Sequence, residues 1–129
     1  MPINIKSEMR KKILIVDDEI TGRLLEYNLK KEGYKVYSVF NAKEAIAKAE
    51  KTKPDLIITD IMMPHMNGFE FLEKLRSDIK TRAIPVVFFT ARGQSADIQK
   101  GLELGVAAYI TKPFEPQHLL EKIKELFCK

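Results

Sequence analysis

The sequence predicts a three-layer α/β fold, a doubly wound parallel sheet of five strands with helices on both faces. Two observations carry this. Short apolar, β-branched runs alternate strictly with segments of helical periodicity, and several of the runs stop abruptly on a polar residue. Strict alternation implies right-handed parallel crossovers. Nearly continuous apolar character over four to eight residues is what a strand covered on both faces requires.

Taken in order, residues 1–10 form a polar lead-in, and residues 11–129 form one domain. Lys12 to Val16 is the first strand and ends on Asp17-Asp18-Glu19. Residues 20–32 carry Leu24, Leu25, Asn28 and Leu29 at helical spacing, with Gly33 as the C-cap. Lys35 to Phe40 alternates and reads as a strand nearer an edge. Asn41 with Glu44 resembles a capping box opening a helix through about Lys51, with Ala42, Ala45, Ile46 and Ala49 inward. The run Asp55 to Asp60 is the third strand, and Asp60 is the acid at its carboxyl end. Asn67-Gly68 opens a helix with Phe69, Leu72, Leu75 and Ile79 as the buried stripe. Pro85 to Ala91 is the fourth strand. Ser95 starts a helix with Ile98, Leu102 and Leu104, stopped by Gly105. Ala107 to Thr111 is the fifth strand, broken by Lys112-Pro113-Phe114. Pro116 suits the first turn of a last helix with Leu119, Leu120, Ile123, Leu126 and Phe127 inward.

Bulk properties narrow the function classes. A chain of 129 residues, 45% hydrophobic and 31% charged, is globular. Its single cysteine, Cys128, excludes an internal disulfide. No apolar run approaches the roughly 20 residues that span a bilayer, and the N-terminus lacks the apolar segment of a secretory signal. A cytoplasmic protein without membrane association is expected. The net charge of +4 comes from scattered lysines. No basic helix is interleaved with aromatics, so direct nucleic-acid binding is not expected.

A parallel sheet delivers the last residue of every strand to one edge, and open α/β sheets do their chemistry there. Asp17, Asp18, Asp60, Thr90 and Lys112 all fall at such ends. If the first and third strands are neighbours, three carboxylates converge, and they cannot all stay ionised without positive charge. Lys112 supplies one charge and a divalent cation the other. Oxygen ligands with room for water select Mg²⁺, and neither His65, His118 nor Cys128 falls where zinc would need it. A carboxylate beside Mg²⁺, a lysine and a hydroxyl is equipment for accepting a phosphoryl group, with Asp60 as nucleophile and Lys112 and Thr90 holding phosphoryl oxygens. Taken singly, each residue has a plainer role: a helix cap for Asp17-Asp18, a β-branched strand residue for Thr90, a solvated lysine for Lys112. Their joint placement is what points to chemistry.

These blocks resemble the response-regulator receiver domain, the phosphoacceptor module of two-component signalling. The matching residues are Ile13-Leu14-Ile15-Val16-Asp17-Asp18-Glu19, Asp60-Ile61-Met62-Met63-Pro64 with Met66-Asn67-Gly68, Thr90-Ala91, and Tyr109-Ile110-Thr111-Lys112-Pro113-Phe114. The likeness spans about residues 11–128. It implies the flavodoxin-like strand order 2-1-3-4-5. It also implies that Asp60 is phosphorylated, that Asp18 binds Mg²⁺ directly with the Met62 backbone carbonyl, and that Asp17 acts through water. Lys112 would pair with Asp60 or its phosphate, Thr90 would sense the phosphoryl group, and Tyr109 would swing inward. The Lys112–Pro113 peptide would be a candidate cis bond.

The phosphodonor would be a histidine on a sensor kinase or phosphotransfer protein. A downstream protein would read the face made by the fourth helix, fifth strand and fifth helix. The protein would be a switch rather than an enzyme, with self-catalysed phosphotransfer and autodephosphorylation only, and a monomer or a weak phosphorylation-dependent dimer. The chain reads as a free-standing receiver, favoured by Met1 and a completed last helix, or as one excised from a larger regulator or hybrid kinase. Two departures stand out: Met62, two past Asp60, where many relatives have a polar residue, and Arg92, two past Thr90, a long cation at the mouth of the site. A Mg²⁺ phosphohydrolase with an aspartyl nucleophile is the rival enzyme. It commonly places a second acid where Met62 stands. A nucleotide- or flavin-binding domain is the other rival, but the acidic loop after the first strand lacks the glycines that admit phosphates.

Overall fold

The structure is a computed structural model that describes residues 10–17, 20–63, 65–91, 95–112 and 115–128. Among these, five strands alternate with five helices. The strands are β1 (Lys12–Val16), β2 (Lys35–Val39), β3 (Leu56–Thr59), β4 (Val86–Thr90) and β5 (Ala108–Thr111). The helices are α1 (Ile20–Lys31), α2 (Ala42–Thr52), α3 (Gly68–Ser77), α4 (Ser95–Glu103) and α5 (Pro116–Phe127). All pairings are parallel and the order is β2-β1-β3-β4-β5, as expected. β1 pairs with both β2 and β3, so the crossovers reverse direction beside it. That reversal opens a crevice at the carboxyl ends of β1 and β3.

Alternation along each strand feeds two core layers. Leu14, Val16, Ile57, Val86 and Phe88 face α2 and α3, while Ile13, Ile15, Leu56, Ile58, Val87 and Phe89 face α1 and α5. Both sets are fully buried, which is why these strands read as continuous apolar runs. β2, on the edge, has the mixed burial that its alternating sequence predicts.

Three helical expectations are corrected. α3 ends at Ser77, so Ile79 lies beyond it and is 74% exposed; Phe71, fully buried, takes the inward place. Leu102 on α4 and Leu24 on α1 are also exposed, at 57% and 50%. Each belongs to a spacing that fits a helical stripe, but among the described side chains of α1 it is Leu25 and Leu29 that pack in the core layer. Phe40 falls just past the end of β2 and is exposed.

The helix ends follow local chemistry. Gly33 takes φ +98 after α1 and Gly105 takes φ +87 after α4, conformations that favour glycine. At α2 the Asn41 side chain accepts from Glu44 N–H at 2.9 Å, but the Glu44 carboxylate accepts from Phe40 N–H rather than from the cap residue. The full reciprocal capping box sits at α3, between Asn67 and Glu70.

Candidate functional site

Asp17 follows β1 and Asp60 follows β3. Asp17 N–H donates to Val39 O at 3.2 Å and Asp60 N–H to Val16 O at 3.1 Å, so ladder-type hydrogen bonds carry both residues to the sheet edge. Their side chains are almost wholly buried. Lys112, just past β5, donates from Nζ to Asp17 Oδ2 at 2.8 Å and to Asp60 Oδ2 at 3.0 Å. Its backbone N–H donates to Thr90 O at 2.8 Å, which anchors the lysine to the end of β4. Asp17 and Asp60, 95 and 52 positions before Lys112 in sequence, thus share its one amine.

The electrostatics follow. Burial pushes the Lys112 pKa down, but hydrogen bonds and charge from Asp17 and Asp60 outweigh it and raise the ammonium above its ordinary value. The amine also lies 5.0 Å from the Phe89 ring centroid, on the ring face, a further favourable contact for a cation.

Asp60 is held from its other side as well. Met62 N–H donates to Asp60 Oδ1 at 3.0 Å, and Thr59 Oγ1 donates to Asp60 O at 3.0 Å. The Met62 side chain is 62% exposed, so this position meets Asp60 through its backbone. Gly68 closes the loop, donating from N–H to Ile61 O at 2.7 Å. A Cβ on Gly68 would stand 2.8 Å from Asp60 O and from Ile61 Cα, so only glycine admits this approach. Gly22, inside α1, does the same for Asp17: a Cβ there would come within 2.9 Å of Asp17 Cβ.

Of the residues picked out by sequence, Asp17, Asp60 and Lys112 come together. Thr90 is buried at the same edge. Tyr109 is half-buried on β5, stacked edge-on against Phe88 at 6.1 Å, which in turn meets Phe69 at 5.3 Å. Asp18, Arg92 and the Lys112–Pro113 peptide lie outside the described residues. Among the described residues no group of three or more His, Cys, Asp or Glu side chains gathers for a metal. The donors present, two buried carboxylates with the Met62 carbonyl in the adjoining loop, are hard oxygen ligands of the kind Mg²⁺ takes. Gly22, the close approach of Gly68 to the Asp60 backbone and the Met62 N–H were missed by sequence reasoning. A glycine inside a helix, costing about 1 kcal/mol against alanine, was the available signal for Gly22.

Comparison with known proteins identifies the family. The family model described as the response regulator receiver domain matches residues 13–124. The alkaline phosphatase synthesis transcriptional regulatory protein PhoP of Bacillus subtilis is 42% identical over 119 residues, covering 92% of this chain and 49% of that protein. The chain therefore spans about half the length of the curated relatives it matches. The chemotaxis response regulator CheY4 of Vibrio cholerae has a TM-score of 0.84 at 34% identity, covering 92% of this chain and 99% of that one. The receiver domain of the sensor histidine kinase PA1611 of Pseudomonas aeruginosa, solved with a magnesium ion coordinated in its active-site cleft, has a TM-score of 0.84 at 26% identity, covering 93% of this chain and 99% of that one. With a matching profile over nearly its whole length and the strand order, fold and edge chemistry described above, this chain belongs to the family of response regulator receiver domains, the signalling switches of two-component systems.

Proposed function

We propose that Asp60 accepts a phosphoryl group from a phosphohistidine on a sensor kinase or phosphotransfer protein, and that the modified site repositions the face formed by α4, β5 and α5. The observation that carries this reading is the buried amine of Lys112 held between Asp17 and Asp60. Such an arrangement places a cation beside a nucleophilic carboxylate, where phosphoryl charge would develop.

In the transfer step a carboxylate oxygen of Asp60 forms the new O–P bond as the P–N bond to the donor imidazole breaks. The bonding pair leaves with the imidazole nitrogen, which takes a proton from solvent. Asp60 reacts as the anion, so no base is required. Lys112 stays protonated and moves its hydrogen bond from carboxylate to phosphoryl oxygen, and the Thr90 hydroxyl donates to another. Asp17, Asp60 and the Met62 carbonyl, with Asp18, would hold Mg²⁺; when bound, the ion neutralises charge on the phosphoryl oxygens.

Phosphorylation adds about −1.5 to −2 charge units at the site. Thr90 is drawn toward that charge, and Tyr109, at the edge of its stack on Phe88, moves into the space Thr90 leaves. A downstream partner that prefers the altered face shifts the balance between the two arrangements. A full shift from 1:99 to 99:1 requires roughly 5.5 kcal/mol of preference.

The test is labelling by acetyl phosphate with Mg²⁺, followed by intact mass. Wild type gains one phosphoryl group and Asp60→Asn gains none. Undiminished labelling of Asp60→Asn would falsify the assignment, and steady turnover of free phosphomonoesters would favour the hydrolase reading.

A further inference from the structure

A crevice of about 470 Å³ opens between the start of α2 and the loop leading from Asp60 into α3. It shares no lining residue with the Asp17–Asp60–Lys112 cluster. Its floor is apolar: buried Ala42, with half-buried Ile46 and Met66 packed on the core layer beneath. Its rim is basic: Lys43, Lys74 and the His65 imidazole are all exposed. Among the described residues no carboxylate lines the crevice.

An apolar concavity of this size with a few convergent polar groups has the form of a small-ligand site. The charge selects the ligand. A neutral apolar molecule gains only from the floor. A small hydrophilic anion gains only from two solvated lysines, a weak and salt-screened attraction. A carboxylate on an aromatic or branched aliphatic body gains from both.

The crevice also touches the loop at Asp60. His65 and Met66 belong to the segment that begins with Asp60 and is closed by Gly68 N–H on Ile61 O. Its Met62 N–H holds Asp60 Oδ1. His65 turns the chain there with φ +69, a left-handed conformation that a non-glycine residue keeps only when its surroundings impose it. Fixing His65 and Met66 therefore favours the loop arrangement in which Met62 occupies Asp60.

We infer that this crevice is a regulatory site for a small carboxylate with an apolar body, and that its occupancy slows phosphoryl acceptance at Asp60. The second half rests on the phosphoacceptor reading above; the binding half does not.

The binding half is read on the unphosphorylated full chain by NMR titration with 2-naphthoate. Saturable shifts are expected at Ile46, His65 and Met66. The neutral analogue 2-naphthalenemethanol should bind roughly threefold more weakly, and 2-naphthoate should bind the Lys43→Glu/Lys74→Glu double variant roughly tenfold more weakly. The double variant's spectrum away from the crevice reports that it is folded, and Lys43→Gln/Lys74→Gln should fall between. Absence of saturable shifts, equal binding of the neutral analogue, or undiminished binding by the charge-reversed chain overturns the site. For the second half, saturating 2-naphthoate should slow Mg²⁺-dependent labelling by acetyl phosphate about fivefold in wild type and not in the double variant. An unchanged rate, or equal slowing of the double variant, overturns the regulatory role. No labelling even without 2-naphthoate would strike at the phosphoacceptor reading, with the titration still deciding the site.

Discussion

Lys112 is buried between two carboxylates, and its charge state links the site to stability. Burial alone would lower its pKa, yet the two partners raise it above the ordinary 10.5, so the folded chain holds this proton more tightly than the unfolded chain does. Its contribution is whole below about pH 10.5 and is lost as pH climbs through the raised folded value. Tyr34, raised from 10.0 by burial and then by the charge of Glu32, acts in the same direction. Urea unfolding should therefore show Lys112's stabilisation undiminished from pH 7 to 10 and falling above. Lys112→Met should cost about 3 kcal/mol at neutral pH, because Asp17 and Asp60 are left buried without their cation. The same variant should lose less on going to pH 11 than wild type does. A variant with the full alkaline loss would show that Lys112 does not carry it. Lys53 presents the opposite case, strain with nothing gained from it. It ends α2 at φ +49, exposed, with its N–H on Ala49 O. A non-glycine residue there costs about 1 kcal/mol, partly offset for glycine by unfolded-chain entropy. Lys53→Gly should raise the urea midpoint by about 0.5 kcal/mol of stability, and a lower midpoint would contradict this.

At the level of elements, the β3–α3 connection sets where Asp60 stands. The capping box of Asn67 and Glu70 fixes the start of α3, and Gly68 lets that start press on the Asp60 carbonyl. Gly68→Ala should cost about 1–3 kcal/mol, because the colliding atoms are backbone and cannot swing away. It should also perturb the Asp60 and Met62 amide resonances. A stable variant with unmoved resonances would refute the close-contact argument. This connection also shows what a sequence can disclose. Strand ends were legible at Asp17, Asp60, Thr90 and Lys112, because a buried apolar run that stops on a polar residue leaves one physical outcome at the edge of a parallel sheet. Asn67-Gly68 was legible as a helix entrance. Its role against Asp60 was not, since the contact joins backbone atoms through a missing Cβ. The Met62 N–H on Asp60 has no side-chain signature at all. Ile79 misled because helical spacing continues past Ser77, while the chain itself turns at Asp78 and Thr81 caps the end with its hydroxyl on Leu75 O. Burial of Phe71 in its place depends on the direction in which α3 crosses the sheet, which periodicity alone does not fix.

For the whole molecule, the fold that makes the site also strains it. Two apolar layers cover the sheet and leave its carboxyl edge as the place where charge collects. There, among the described residues, two buried carboxylates share one ammonium, which leaves negative charge in excess between them. Like charges held so close raise the free energy of the folded state, a cost that the proposed phosphoacceptor role would account for. Replacing Asp60 with Asn removes one negative charge, while the amide oxygen can still accept from Met62 N–H or Lys112. Metal-free Asp60→Asn should therefore be more stable than wild type at pH 7, by about 1 kcal/mol. On the proposed reading Mg²⁺ would act on the same excess charge. Added at a hundredfold over its dissociation constant it should stabilise wild type by about 2.7 kcal/mol, and at the same concentration stabilise Asp60→Asn by much less. Thermal unfolding of both proteins with and without Mg²⁺ measures all four states of this cycle. If metal-free Asp60→Asn proved the less stable protein, the Lys112–Asp60 pair would outweigh the crowding. The carboxylates would then be a structural clasp rather than a site held in readiness for a cation and a phosphoryl group.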